Sequence, residues 1–161
     1  MPFSKKERVL ISFIIVAVLV RLFPHPPNVA PITAVALFAG THFSRKHWAL
    51  LMPILAMLVT DIFLGFSMIS PIVYLAFVGV TALGFVVKKM HIGTVLLSSL
   101  LFFVVTNLGV WFLYYPLTLE GFTTCFTLAI PFFGYSVVGD VFFSAALLFG
   151  YRFAAKHLQL A

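Results

Sequence analysis

The sequence predicts an all-α membrane protein built as a bundle of six transmembrane helices. Of its 161 residues, 63% are hydrophobic and only 9% are charged, and a water-soluble domain of this composition would expose large apolar patches. The apolar residues form continuous runs instead of the alternating pattern of a membrane β-strand. Because one helix needs about 20 apolar residues to cross the hydrocarbon core, the chain has room for about six crossings in a single transmembrane domain.

Six apolar segments are bounded by charges, prolines or polar clusters, which commonly mark helix ends. Their approximate bounds are 9–23, 29–43, 47–66, 71–87, 92–115 and 132–153. The first segment follows a basic start as in a signal peptide, but it has no small-residue cleavage site, so we predict a retained helix. The stretch 118–130 is too short and polar for a span, and we predict a helix lying at the membrane interface there.

The second segment is the least regular of the six. Pro31, Thr33, Gly40 and Thr41 dilute its apolar character. Non-helical backbone at membrane depth is tolerated where protein or a cavity surrounds it. We therefore expect a tilted, partly unwound or re-entrant segment at this position.

The distribution of Lys and Arg predicts the orientation, because short cytoplasmic loops accumulate these residues. The basic residues form four clusters: Lys5, Lys6 and Arg8; Arg45 and Lys46; Lys88 and Lys89; Arg152 and Lys156. The connections at 24–28, 67–70 and 116–131 contain neither Lys nor Arg. Six crossings then place both termini in the cytoplasm. The basic residues lie at helix ends and form no continuous stripe, so we expect no nucleic-acid partner.

Polar residues inside the predicted spans gather toward the outer face. A charge within a span is costly and needs a partner, a water-filled cavity or a function. A pocket open to the outside would combine apolar and aromatic walls with a few placed polar groups. The candidate ligand-binding residues are Asn28, Asp61, Asn107, Trp111, Asp140, Arg21 and Tyr115. Arg21 would either contact the ligand or neutralise a carboxylate, and the carboxylates would favour a cationic or hydrogen-bond-donating ligand.

Other interpretations of the same residues remain open. Arg21 could pair with Asp61 or Asp140 in a purely structural salt bridge while Asn107 ties two helices together, as in a non-transporting structural or assembly subunit. A proton-coupled carrier or membrane enzyme could use the two aspartates. The sequence contains no nucleophile elbow, zinc-binding helix motif or phosphate-binding glycine loop, so we predict neither an enzyme nor a bound metal or cofactor.

Several short motifs resemble a known family. They are the run 28–40 (NVAPITAVALFAG), the run 57–61 (MLVTD) followed by Gly65, the run 106–111 (TNLGVW), Tyr115-Pro116 and Gly139-Asp140. Together they resemble a family of uncharacterised small bacterial membrane proteins described as transport proteins. That family is similar in length, helix number and the early N-x-x-P-x-x-A pattern to the S components of energy-coupling-factor (ECF) vitamin transporters.

The resemblance implies a six-helix protein of the bacterial inner membrane that captures a vitamin, cofactor or cofactor precursor at its outer face. Release inside would follow toppling of the bundle, driven by a transmembrane coupling subunit and two ATPase subunits, or would occur without them in solitary members. S components often present an alanine-rich motif on the first helix for docking. Ala17 is the only alanine in residues 11–20, so a solitary transporter is the alternative.

Overall fold

The computed structural model describes residues 4–23 and 29–159 and shows an all-helical chain. The helices are α1 (Lys5–Leu22), α2 (Ile32–His42), α3 (Lys46–Leu64), α4 (Ser70–Val87), α5 (Ile92–Tyr114) and α6 (Leu119–Leu158). The described residues contain no β-strand, which confirms the predicted all-α class. Helices α3, α4, α5 and α6 are long and apolar enough to cross a membrane. The chain is therefore a membrane protein, and crossings by α1 and α2 stay a prediction.

Helix α2 lies at the centre of the bundle and contacts each of the other five helices. Every residue from Ile32 to Gly40 is buried, because this stretch is rich in Ala, Gly and other residues that are apolar on all sides. Its 11 residues rise only about 16 Å at 1.5 Å per residue, about half the hydrocarbon thickness. The second segment thus contains a short regular helix, preceded by non-helical residues at Val29 and Ala30.

The predicted break near Pro131 is wrong, because helix α6 continues through this residue. The stretch 118–130, expected as a separate interfacial helix, and the segment 132–153 form one continuous helix of 40 residues. Polar residues such as Thr123 and Thr127 lower the hydropathy of its first part but are compatible with helical backbone. Pro131 lies inside the helix; a proline removes one backbone donor, which costs stability without always ending a helix. At about 60 Å, α6 is about twice as long as the hydrocarbon core is thick.

The two described ends of the chain meet at one end of the bundle, which we call the basic end. Lys5 Nζ donates a hydrogen bond to the Leu158 carbonyl over 2.7 Å. Arg45, just before α3, forms an ion pair of 3.0 Å with Glu7 of α1. Lys46 lies 5.5 Å from the centre of the Phe85 ring near the end of α4. Basic residues from separate loops are thus brought to a single end of the bundle, while α1 and α3 end at the opposite end.

Candidate functional site

Arg21 and Asp61 form an ion pair at the end opposite the basic end. Arg21 Nη2 lies 2.9 Å from Asp61 Oδ1, and the Tyr74 hydroxyl donates to Asp61 Oδ2 over 2.7 Å. Arg21 Nη1 also donates to the Thr60 hydroxyl. Asp61 is only 3% exposed, and both of its carboxylate oxygens are bonded. The pair therefore ties α1, α3 and α4 together and neutralises the charge of Asp61 inside the bundle.

A cavity of about 280 Å³, which we call the central cavity, lies next to this ion pair. Its lining residues are Arg21, Ala30, Ile32, Thr33, Met57, Leu64, Val73, Phe77, Phe102 and Ser136. Phe77 and Phe102 stack with their ring centres 4.8 Å apart. Arg21 is the only charged side chain in that lining set, and Thr33 and Ser136 add hydroxyl groups. The wall is thus mainly apolar and aromatic with a few polar groups, as in small-molecule sites.

A second cavity of about 240 Å³, the distal cavity, adjoins the first. It is lined by Ile69, Val73, Phe102, Phe103, Thr106, Asn107, Val110, Ala129, Phe132, Phe133 and Ser136. Val73, Phe102 and Ser136 belong to both walls. A third cavity of about 200 Å³ adjoins the distal one, and Asn107 and Tyr115 are among its lining residues. The bundle thus contains adjoining cavities between α4, α5 and α6, and the central cavity extends them toward α1 and α2.

The predicted site residues divide between these cavities and the contacts that hold helices together. Arg21 lines the central cavity, Asn107 lines the distal cavity and Tyr115 lines the third. Trp111 instead donates from Nε1 to the Pro116 carbonyl over 3.0 Å, which ties α5 to the turn before α6. Asn28 lies outside the described residues.

Asp140 occupies a different part of the bundle from Asp61. It is 2% exposed and accepts a hydrogen bond of 2.7 Å from the Ser99 hydroxyl of α5. Thr33 of α2 is a second side-chain neighbour of this carboxylate. Neither aspartate is among the residues that line the described cavities. The carboxylates therefore lie behind the cavity walls, and Thr33 connects Asp140 to the central cavity.

Comparison with known proteins assigns the chain to a family. Residues 2–161 match the model of DUF6580, a family of unknown function. The chain belongs to this family. No curated protein and no solved structure matches it.

Several side chains of the candidate site in the DUF6580 protein are not among those predicted from its sequence. They are Tyr74, Ser99 and Ser136, although a hydroxyl in an apolar span that can reach a carboxylate or a cavity is a usable signal. Phe102, which lies between two cavities, is one of 20 phenylalanines, and nothing in the local sequence distinguishes it. Wall residues of this kind become identifiable only when the helices are packed.

Proposed function

We propose that this DUF6580 protein is a membrane-embedded substrate-binding or uptake protein for a small vitamin, cofactor or cofactor precursor. The observation that carries the proposal is the pair of adjoining cavities with shared aromatic and hydroxyl walls. Ligand sites typically enclose about 300–1,000 Å³. The central cavity alone, at about 280 Å³, is slightly smaller, whereas the central and distal cavities joined past Phe102 and Ser136 fall within that range.

The lining residues favour a planar, largely uncharged ligand that carries hydrogen-bond acceptors. Arg21 is paired with Asp61, so the two charges cancel and leave little net attraction for an ion. The unused N–H groups of the guanidinium can still donate to a ligand carbonyl or ring nitrogen. Phe77 and Phe102 offer aromatic faces for a ring,. This preference replaces the cationic ligand expected from the two carboxylates, because neither carboxylate belongs to the cavity walls.

The orientation and partners belong to the same proposal. Under the positive-inside rule the basic end, with both chain termini, lies in the cytoplasm of a bacterial cell. The central cavity then opens toward the outer side of the inner membrane. The resemblance to S components supports a transmembrane coupling subunit and ATPase subunits as partners, and the small number of alanines in α1 supports transport without them.

Ligand retention by a cavity-filling variant tests the proposal. Ser136→Phe introduces a ring into the wall shared by both cavities, whereas Val138→Phe introduces the same ring at a position that is 68% exposed on the same helix. Both variants and the wild type would be purified in mild detergent, and the small molecules they release would be identified by mass spectrometry. We expect one compound to be retained by the wild type and Val138→Phe and lost from Ser136→Phe. Equal retention by all three, or no compound in any, would contradict the proposal.

A structural or assembly subunit is the second candidate, and the Arg21–Asp61–Tyr74 contacts favour it. Both oxygens of Asp61 are used between helices, as expected where polar residues only hold a bundle together. This candidate predicts that filling the cavities with Ser136→Phe changes thermal stability but releases no bound compound.

A further inference from the structure

Asp140 is a buried carboxylate surrounded by hydroxyl groups instead of cations. Ser99 of α5 donates a hydrogen bond to it, and Thr33 of α2 is a further side-chain neighbour. Helix α5 carries no Asp, Glu, Lys, Arg or His. The one such residue of α2, His42, is nine positions from Thr33, about 14 Å along the helix. On the neighbouring helix α1, Arg21 is engaged by Asp61.

The cost of burying a carboxylate is therefore met in different ways at Asp61 and at Asp140. An ionised carboxylate in apolar surroundings must be paired, or else it takes up a proton and becomes neutral. Asp61 is paired with Arg21 at 2.9 Å. Asp140 is no more exposed than Asp61 and has no basic group among its described neighbours. A neutral carboxylic acid is the form of Asp140 that fits this environment.

A second buried hydroxyl lies one turn from Asp140 on the same helix. Ser144 is 4% exposed, and its Oγ has no hydrogen-bond partner among the described residues. Residues four apart on a helix face lie about 5–6 Å apart at Cβ, so the Ser144 hydroxyl lies on the same face of α6 as the Asp140 carboxyl group. Ser144 also lines a cavity of about 290 Å³ with Met90, His91 and Ile92, at the basic end of the bundle.

We propose that Asp140 is a proton-exchange site between the central cavity and the cavity at the basic end. Thr33 lines the central cavity and is a side-chain neighbour of Asp140, while Ser144 lines the other cavity. The neutral acid of Asp140 transfers its proton to Ser144 Oγ, and the original Ser144 hydroxyl proton leaves toward the basic end. The Thr33 hydroxyl then gives its proton to the Asp140 carboxylate and takes up one proton from the central cavity. The neutral acid is regenerated, and one proton has crossed this layer of the bundle.

The proton site does not depend on the identity of any ligand. If the proposed uptake function also holds, a proton gradient is an energy source for that uptake, and this consequence rests on the proposed function. The measurement below is made without added ligand, so its failure is distinguishable from failure of the uptake proposal.

Infrared spectroscopy of the full-length protein in liposomes tests the site. The chain has four acidic side chains, and a protonated carboxyl group gives a C=O band that a carboxylate lacks. At neutral pH we expect this band in the wild type and in Glu120→Gln, a change at an exposed position, but not in Asp140→Asn. A band that survives in Asp140→Asn, or no band in the wild type, would overturn the proposal.

Hydrogen–deuterium exchange of the same band tests the route through Ser144 with Asp140 intact. In D₂O the band shifts as the acid proton is replaced. With the path through Thr33 removed by Thr33→Val, we expect Ser144→Ala to slow this shift severalfold further, whereas Ser12→Ala, on an exposed serine of α1, leaves it unchanged. An exchange rate in the Thr33→Val, Ser144→Ala variant equal to that of Thr33→Val would refute the path toward the basic end. This comparison remains decisive even if Asp140→Asn fails to fold.

Discussion

Gly40 of α2 and Gly84 of α4 bring the backbones of their helices into direct contact. A Cβ atom at Gly40 would lie 2.3 Å from the Thr81 carbonyl oxygen and 3.0 Å from Gly84 Cα. A Cβ atom at Gly84 would lie 2.8 Å from Gly40 Cα. The obstacles are backbone atoms, which cannot move aside as a flexible side chain can. Small residues permit such close approach between membrane helices, where packing rather than the hydrophobic effect drives association.

Gly40→Ala is therefore expected to destabilise the bundle. Overpacking of a close contact costs about 1–3 kcal/mol, which exceeds the gain of up to about 1 kcal/mol from replacing a helical glycine with alanine. Thermal unfolding in detergent would show a lower Tm. The matched control is Gly134→Ala in α6, since a Cβ atom there would meet nothing within 4 Å. A Tm for Gly40→Ala at or above that of Gly134→Ala would disprove the close packing of α2 on α4.

Removing the carboxylate of Asp61 is expected to destabilise the protein. Asp61→Asn leaves the partly buried Arg21 without its counter-charge, and breaking an ion pair inside a protein costs up to about 3–5 kcal/mol. Tyr74→Phe removes the hydroxyl that donates to the same carboxylate. Because both changes act on one network, their effects on Tm should not add in the double variant. Glu120→Gln, at an exposed position near the start of α6, is the control and should leave Tm nearly unchanged; strictly additive effects of the first two changes would exclude a shared network.

The contacts of Glu7 lead us to expect a loss of stability at acidic pH. Its carboxylate accepts from the Ser4 backbone N–H over 3.0 Å and pairs with Arg45 at 3.0 Å. The backbone hydrogen bond and the Arg45 charge hold the pKa of Glu7 below its usual value, against the opposing effect of burial. A lowered folded-state pKa contributes stability that is complete above the unfolded pKa of about 4.3 and is lost as the pH falls through the folded value.

The measurement is Tm as a function of pH for the wild type and Glu7→Gln. We expect the variant to be less stable at neutral pH, because it cannot form the ion pair. The two curves should converge as the pH falls from about 4.3 through the lower folded-state pKa of Glu7, because the wild-type carboxylate is then protonated as well. A difference in Tm that is independent of pH would show that the ion pair between Glu7 and Arg45 does not stabilise the basic end.

The helices could largely be predicted from local sequence. Segments 71–87 and 92–115 match α4 and α5 closely, because long apolar runs end at basic residues such as Lys88 and Lys89. The prediction failed at Pro131, where a helix-breaking residue and polar neighbours suggested two elements. Packing of α6 against α5, α2 and α1 stabilises the continuous helix, and local propensity does not include that contribution.

Prediction of the candidate site was less complete. The sequence predicts Arg21, Asn107 and Tyr115 as isolated polar or aromatic site residues, and they line cavities. It predicts Asp61 and Asp140 from the cost of burying their charge, but that cost is met within the bundle by Arg21 in one case and by hydroxyl groups in the other. A charged residue inside an apolar span can be recognised from the sequence by the cost of burying its charge. Which group then neutralises it or hydrogen-bonds to it depends on how the helices pack.

The sequence by itself determined that this protein is helical and resides in a membrane, because hydropathy is a property of each residue and its near neighbours. Only the tertiary structure decided which polar groups meet. Asp140 and Ser99 are 41 positions apart yet share a hydrogen bond of 2.7 Å. Such a contact is set by the crossing of helices and by the small residues that let them approach. Since the cavities are spaces between helices, their walls also follow from packing and not from any single segment.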